Sequence, residues 1–129
     1  MPSNRKKVLI IEDETDIRFL YSTVLKSAGY IVDEAPNGEI GLEKIKSTDW
    51  NILLLDIMLP GKDGLKILQD IKESPEYKKG PIVCLTNLNS DTIIQESFKA
   101  GSDDYLIKSE ITPDRIVAEV EKLIGHSQK

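Results

Sequence analysis

Five polar residues stand at the carboxyl ends of four short runs. Glu12 and Asp13 follow Val8 to Ile11, Asp56 follows Ile52 to Leu55, Thr86 follows Ile82 to Leu85, and Lys108 follows Tyr105 to Ile107. If these runs are parallel strands of one sheet, all five side chains meet on one edge. Three carboxylates gathered there repel one another by roughly 4 kcal/mol per pair at ~4 Å in an effective dielectric near 20. Lys108 supplies one compensating charge, and a hard cation bound through oxygen supplies the rest. Few carboxylates, with water and phosphate completing the shell, favour magnesium over calcium, with manganese as the alternative occupant. An Asp beside a metal, an ammonium and a hydroxyl suits covalent phosphoryl transfer: the carboxylate attacks, and the surrounding positive groups stabilise the phosphoryl oxygens.

Each residue also has an ordinary structural reading. Glu12-Asp13 alone fits a solvated loop that caps the first helix, Thr86 a turn, Lys108 an exposed strand end, and Tyr105 a core or edge aromatic. Asp56 is harder to dismiss, because a carboxylate ending a run as apolar as Leu53-Leu54-Leu55 needs compensation. Joint placement carries the chemical reading.

The elements that must position these residues follow from periodicity. Five strands are expected, the three above at Val8 to Ile11, Ile52 to Leu55 and Ile82 to Leu85, with weaker ones at Tyr30 to Val32 and Tyr105 to Ile107. Between them, Ile17, Leu20, Tyr21, Val24, Leu25 and Ala28 recur at the spacing of one buried helix face. Later helices are marked by Ile40, Leu42 and Ile45, by Leu65, Leu68 and Ile71, by Ile94 and Phe98, and by Ile116, Val117, Val120, Leu123 and Ile124. Gly29 and Gly101 fall where a left-handed C-cap is wanted, and Asn37-Gly38 and Pro60-Gly61 mark turns. Strict alternation of strand and helix predicts an α/β fold with a parallel sheet, right-handed crossovers and helices on both faces. The alternating pattern of Ile31, Asp33 and Ala35 puts the second strand at an edge.

Composition narrows the function. A chain of 129 residues, 40% hydrophobic and 30% charged, fits one folded domain with a core over about 5–124 and a loose tail from Gly125 to Lys129. No apolar stretch approaches the ~20 residues of a membrane span, and no signal peptide is evident, so a cytoplasmic setting without a membrane partner is expected. Cys84 is the only cysteine and His126 the only histidine; disulfides, thiolate clusters, histidine-ligated zinc and a histidine triad are excluded. A net charge of −5 without a basic stripe argues against direct nucleic-acid binding by this chain.

Three stretches carry a family resemblance: Val8-Leu9-Ile10-Ile11-Glu12-Asp13-Glu14, Leu54-Leu55-Asp56-Ile57-Met58-Leu59-Pro60-Gly61-Lys62-Asp63-Gly64, and Ala100-Gly101-Ser102-Asp103-Asp104-Tyr105-Leu106-Ile107-Lys108. In this order and spacing they closely resemble the receiver domain of bacterial two-component response regulators, over residues 5 to 124. The resemblance implies a doubly wound, flavodoxin-like three-layer α/β/α fold with five strands in the order 2-1-3-4-5. It implies that Asp56 is the phosphoacceptor and that Glu12, Asp13, Asp56 and the Met58 backbone carbonyl hold magnesium. Thr86 and Lys108 would contact the phosphoryl oxygens. Tyr105 would rotate with Thr86 and remodel the face between the fourth and fifth helices, where a downstream protein or output domain docks. The donor would be a sensor histidine kinase or a histidine phosphotransfer protein.

Two positions depart from the common pattern. Ser109 replaces the proline that usually follows the lysine, which puts the usual cis peptide in question, and Asn87 is larger than the usual residue after the threonine. As a receiver the chain would catalyse only its own phosphorylation and dephosphorylation, and would not be a metabolic enzyme. Two rivals are a non-phosphorylated interaction module on the same fold and an Asp-nucleophile phosphatase. The second would carry another Asp two residues after the first, where this chain has Met58.

Overall fold

The computed structural model describes residues 5–59, 63–87 and 91–125. Five strands form one parallel sheet: β1 Lys7–Ile11, β2 Ile31–Ala35, β3 Ile52–Asp56, β4 Ile82–Thr86 and β5 Asp104–Ile107. Their order is β2-β1-β3-β4-β5. Five α-helices alternate with them: α1 Thr15–Ser27, α2 Gly38–Ser47, α3 Gly64–Glu73, α4 Asp91–Lys99 and α5 Pro113–Leu123. Two short 3-10 turns, Pro75–Tyr77 and Lys108–Glu110, were not anticipated.

The continuous apolar runs of β1, β3 and β4 conceal a period of two that serves two cores, as expected for strands covered on both faces. Leu9, Ile11, Leu53, Leu55 and Cys84 point to one face with Ile45, Ile67, Leu68 and Ile71 of α2 and α3. Val8, Ile10, Ile52, Leu54, Val83 and Leu85 point to the other with Tyr21, Leu25, Ile116 and Val120 of α1 and α5. β2 lies at an edge, with only Ala35 fully buried.

Local chemistry sets the helix ends. Asn37, Asp63 and Thr112 each accept a backbone N–H of the first turn, satisfying donors that the helix itself leaves open. Gly29 and Gly101 adopt φ of 101° and 115° beyond α1 and α4, the left-handed conformation a side chain resists. The expected turn at Pro60-Gly61, His126 and all of the expected tail beyond Gly125 lie outside the described residues.

The expectation that Leu20 lies on the buried face of α1 is corrected, and two residues that mark later helices are also exposed. Leu20, Ile40 and Phe98 are 44%, 39% and 44% exposed. The sheet covers less of each helix than the periodicity suggests. The buried residue of α4 is Ser97, whose hydroxyl donates to the Ile94 carbonyl at 2.8 Å and so enters the interior with its hydrogen bond made. No helix among the described residues is long and apolar enough to cross a membrane.

Candidate functional site

Register brings the predicted residues together. Ile11 pairs with Leu55, Asp56 with Leu85, and Thr86 with Ile107, so the residues at and just past these positions line one sheet edge. Gly64 lets α3 start against that edge. A Cβ there would sit 2.6 Å from the Asp56 carbonyl oxygen, and the Gly64 N–H donates to Ile57 O at 2.8 Å. Asp13, Asp56, Met58, Thr86, Asn87 and Lys108 line a cleft of about 290 Å³ with Glu14. A larger groove of about 590 Å³ between α3 and α4 lies at the amino end of the sheet, lined by Leu68, Ile71 and Phe98 among others. None of the predicted site residues reaches it.

Glu12 is fully buried and Asp56 is 2% exposed, whereas Asp13 is exposed. The strand pleat turns Glu12 inward and its neighbour out, so the solvated-loop reading fails for Glu12. The Lys108 ammonium binds Glu12 Oε1 and Oε2 at 3.0 and 3.2 Å and Asp56 Oδ2 at 3.1 Å. The other Asp56 oxygen, Oδ1, accepts the Met58 N–H at 3.0 Å. Thus the two oxygens of Asp56 are held by different donors and the carboxylate is fixed in orientation.

Burial is the largest influence on both acids. It pushes Glu12 up to about 7, with the negative charge of Asp56 adding and the Glu14 N–H and Lys108 opposing. It raises Asp56 as well, against the pull of Lys108 and the Met58 N–H. Burial alone would lower Lys108, but bonds and charge from Glu12 and Asp56 outweigh it and raise the ammonium above its ordinary range. Three close acids therefore face one fully protonated lysine, a balance that leaves room for a cation.

Oxygens of Glu12, Asp13 and Asp56 can lie within 4.8 Å of one another. All are hard donors, suited to magnesium rather than to zinc. Thr86 is fully buried at the end of β4, beside the strand β5 that carries Tyr105. The Tyr105 hydroxyl is raised chiefly by burial, with Thr86 opposing. Asn87 and Ser109 are both exposed at the rim, and no cis peptide occurs among the described residues.

Two contributors went unassigned in the sequence. Arg18, one turn into α1, donates from Nη1 to the Glu12 carbonyl at 2.7 Å and from Nε to Glu34 at 3.2 Å. Glu14 places Oε1 3.1 Å from Lys108 Nζ. Its position at the N-cap of α1, where Ser, Thr, Asp or Asn is usual, was the available signal.

Comparison with known proteins agrees with this geometry. The model of the response regulator receiver domain matches residues 8–121. The transcriptional regulatory protein ResD of Bacillus subtilis is 34% identical over 127 residues, covering 98% of this chain and 51% of ResD. SrrA of Staphylococcus aureus, also a transcriptional regulatory protein, is 33% identical over 122 residues, covering 95% and 49%. The chain thus spans about half the length of these curated relatives. Among solved structures, Vibrio cholerae chemotaxis protein CheY4 superposes with a TM-score of 0.85 at 27% identity, covering 93% of this chain and 99% of that one. A two-component response regulator from Clostridium difficile gives 0.84 at 30%, covering 92% and 94%. The BeF3 activated DrrB receiver domain gives 0.80 at 28%, covering 92% and 96%. With the sheet order, the acidic edge and these matches in agreement, the chain belongs to the response regulator receiver domain family of two-component systems.

Proposed function

We propose that the chain receives a phosphoryl group on Asp56 from a histidine kinase or histidine phosphotransfer protein in a magnesium-dependent reaction. The observation that carries this reading is the nearly buried Asp56 carboxylate, pinned through separate oxygens by Lys108 and the Met58 N–H within an acidic cluster. A buried, crowded carboxylate is costly, and phosphoryl transfer explains the arrangement better than a purely structural role does.

In the step proposed, an Asp56 oxygen forms a bond to phosphorus as the bond from phosphorus to the donor's imidazole nitrogen breaks, and that nitrogen takes up a proton from solvent. The Met58 N–H keeps the carboxylate aimed, while the Lys108 ammonium and Thr86 hydroxyl take phosphoryl oxygens. Glu12, Asp13, Asp56 and the Met58 carbonyl would hold the magnesium ion, which when bound neutralises phosphoryl charge. The chain acts on itself and turns over no separate metabolite.

Thr86, drawn to the new oxygens, would release or reorient Tyr105, shifting the surface of α4, β5 and α5 toward a partner-binding state. A downstream protein or output domain would read that surface. Similarity to two transcriptional regulatory proteins supports an output in transcription, while the net charge of −5 supports an indirect one. A cytoplasmic setting agrees with this role.

The test is an NMR titration of the protein with phosphoramidate, with and without Mg²⁺. Resonances of Thr86 and Tyr105 should shift only when both reagents are present. Shifts of the same size without Mg²⁺, or none at all, would contradict the proposal.

A further inference from the structure

The Lys108 ammonium has three N–H donors, yet four carboxylate oxygens from three side chains lie within 3.2 Å of it: Glu12 Oε1 and Oε2, Glu14 Oε1 and Asp56 Oδ2. Its donors are fully claimed. Resting on the reading of Asp56 as phosphoacceptor, a phosphoryl oxygen that binds Lys108 must displace one of these partners.

The three acids differ in how readily they yield. Glu12 is fully buried and its Oε2 also accepts the Glu14 N–H at 3.0 Å. Asp56 carries the incoming group. Glu14 has a side chain 55% exposed to solvent, so water can replace the lysine at little cost. It occupies the N-cap of α1 in extended backbone at φ −80° and ψ 113°, but its side chain makes no capping bond. A carboxylate at that position ordinarily serves the free N–H groups of its own helix; this one reaches instead to the end of β5.

We infer that Glu14 is a positioning residue that occupies Lys108 in the resting state, competing with the phosphoryl group and setting how strongly Asp56 retains it. Its removal frees a donor for phosphoryl oxygen. Lys108 is nearly buried but Glu14 faces water, and a pair screened on that side is worth a modest amount, so the competition is a trim on occupancy rather than a block.

The test measures beryllofluoride affinity by NMR at saturating Mg²⁺, with Mg²⁺ affinity titrated separately for every variant. Glu14→Gln and Glu14→Ala should each bind beryllofluoride about two- to fivefold more tightly than the wild type, the range for a pair screened by water on the Glu14 side. Asp16→Asn removes an exposed acid from the first turn of α1, and Asp16 has no ion pair with Lys108. It should bind like wild type, which separates contact from the general field. Unchanged or weaker affinity in both Glu14 variants, or an equal gain in Asp16→Asn, would overturn the inference while leaving the phosphoacceptor reading intact. Failure of the wild type to bind beryllofluoride would instead remove that reading, and the inference with it.

Discussion

Removing the charge of Asp56 should stabilise the metal-free protein. Lys108 at 3.1 Å attracts Asp56 by about 5 kcal/mol at an effective dielectric of 20, and an acid within 4.8 Å repels it by about 3.5 kcal/mol. Glu12 exerts that repulsion only when ionised, above its raised value of about 7, whereas water screens the exposed Asp13. Attraction exceeds repulsion by only about 1.5 kcal/mol, so the larger cost of burying the charge decides the sign. Asp56 is 2% exposed, and burial is the largest cause of its raised pKa. Asp56→Asn keeps the shape and an acceptor for the Met58 N–H while avoiding the buried charge, so a gain of about 1 to 3 kcal/mol follows. In urea, with a slope of about 1–3 kcal/mol/M, that is a midpoint on the order of 1 M higher. Equilibrium melts in EDTA measure it, and Mg²⁺ should narrow the gap because it binds folded wild type better. A variant less stable than wild type in EDTA would refute the reasoning.

Other outcomes follow from the same geometry. The Glu12 carboxyl, raised by burial from 4.5 to about 7, contributes stability that is fully present below pH 4.5 and lost as pH rises through 7. In EDTA, urea midpoints of the wild type should therefore rise as pH falls across that window, and Glu12→Gln should flatten the dependence. Thr86→Ala should still take up phosphate but shift Tyr105 resonances weakly, because the hydroxyl is linked to Tyr105; loss of uptake itself would count against that division of roles. Trp50 is buried at the amino end of β3, its indole N–H on the Ile45 carbonyl, roughly 20 Å from Asp56 at about 3.3 Å per strand residue. Its fluorescence should change little on adding Mg²⁺, and strong saturable quenching would relocate the metal. Cys84, fully buried with a thiol pushed up to about 11 by burial, should react with a thiol reagent only on unfolding, as read by mass under native and denaturing conditions.

The sheet was legible because Val8 to Ile11 of β1 is apolar and followed by Glu12, while β3 and β4 are apolar up to a final polar residue, a pattern that reports both burial and direction. The convergence of Glu12, Asp56, Thr86 and Lys108 follows from parallel register alone. Which of two adjacent acids points inward was not legible: Glu12 and Asp13 differ only in pleat phase. Nor was the exposure of Leu20 and Phe98, since helical period reports which residues share a face and not how much of that face the sheet covers. The unusual N-cap marks Glu14 as a residue with another task, but its contact with Lys108 lies 94 residues away in sequence, and no local pattern names that partner.

The most direct measurement is intact-mass analysis after exposure to phosphoramidate. Wild type with Mg²⁺ should gain one phosphoryl group, lost again on hydroxylamine treatment as an acyl phosphate requires, while wild type in EDTA and Asp56→Asn in Mg²⁺ should gain none. An equal, hydroxylamine-sensitive gain in Asp56→Asn would place the phosphoacceptor elsewhere and contradict the account.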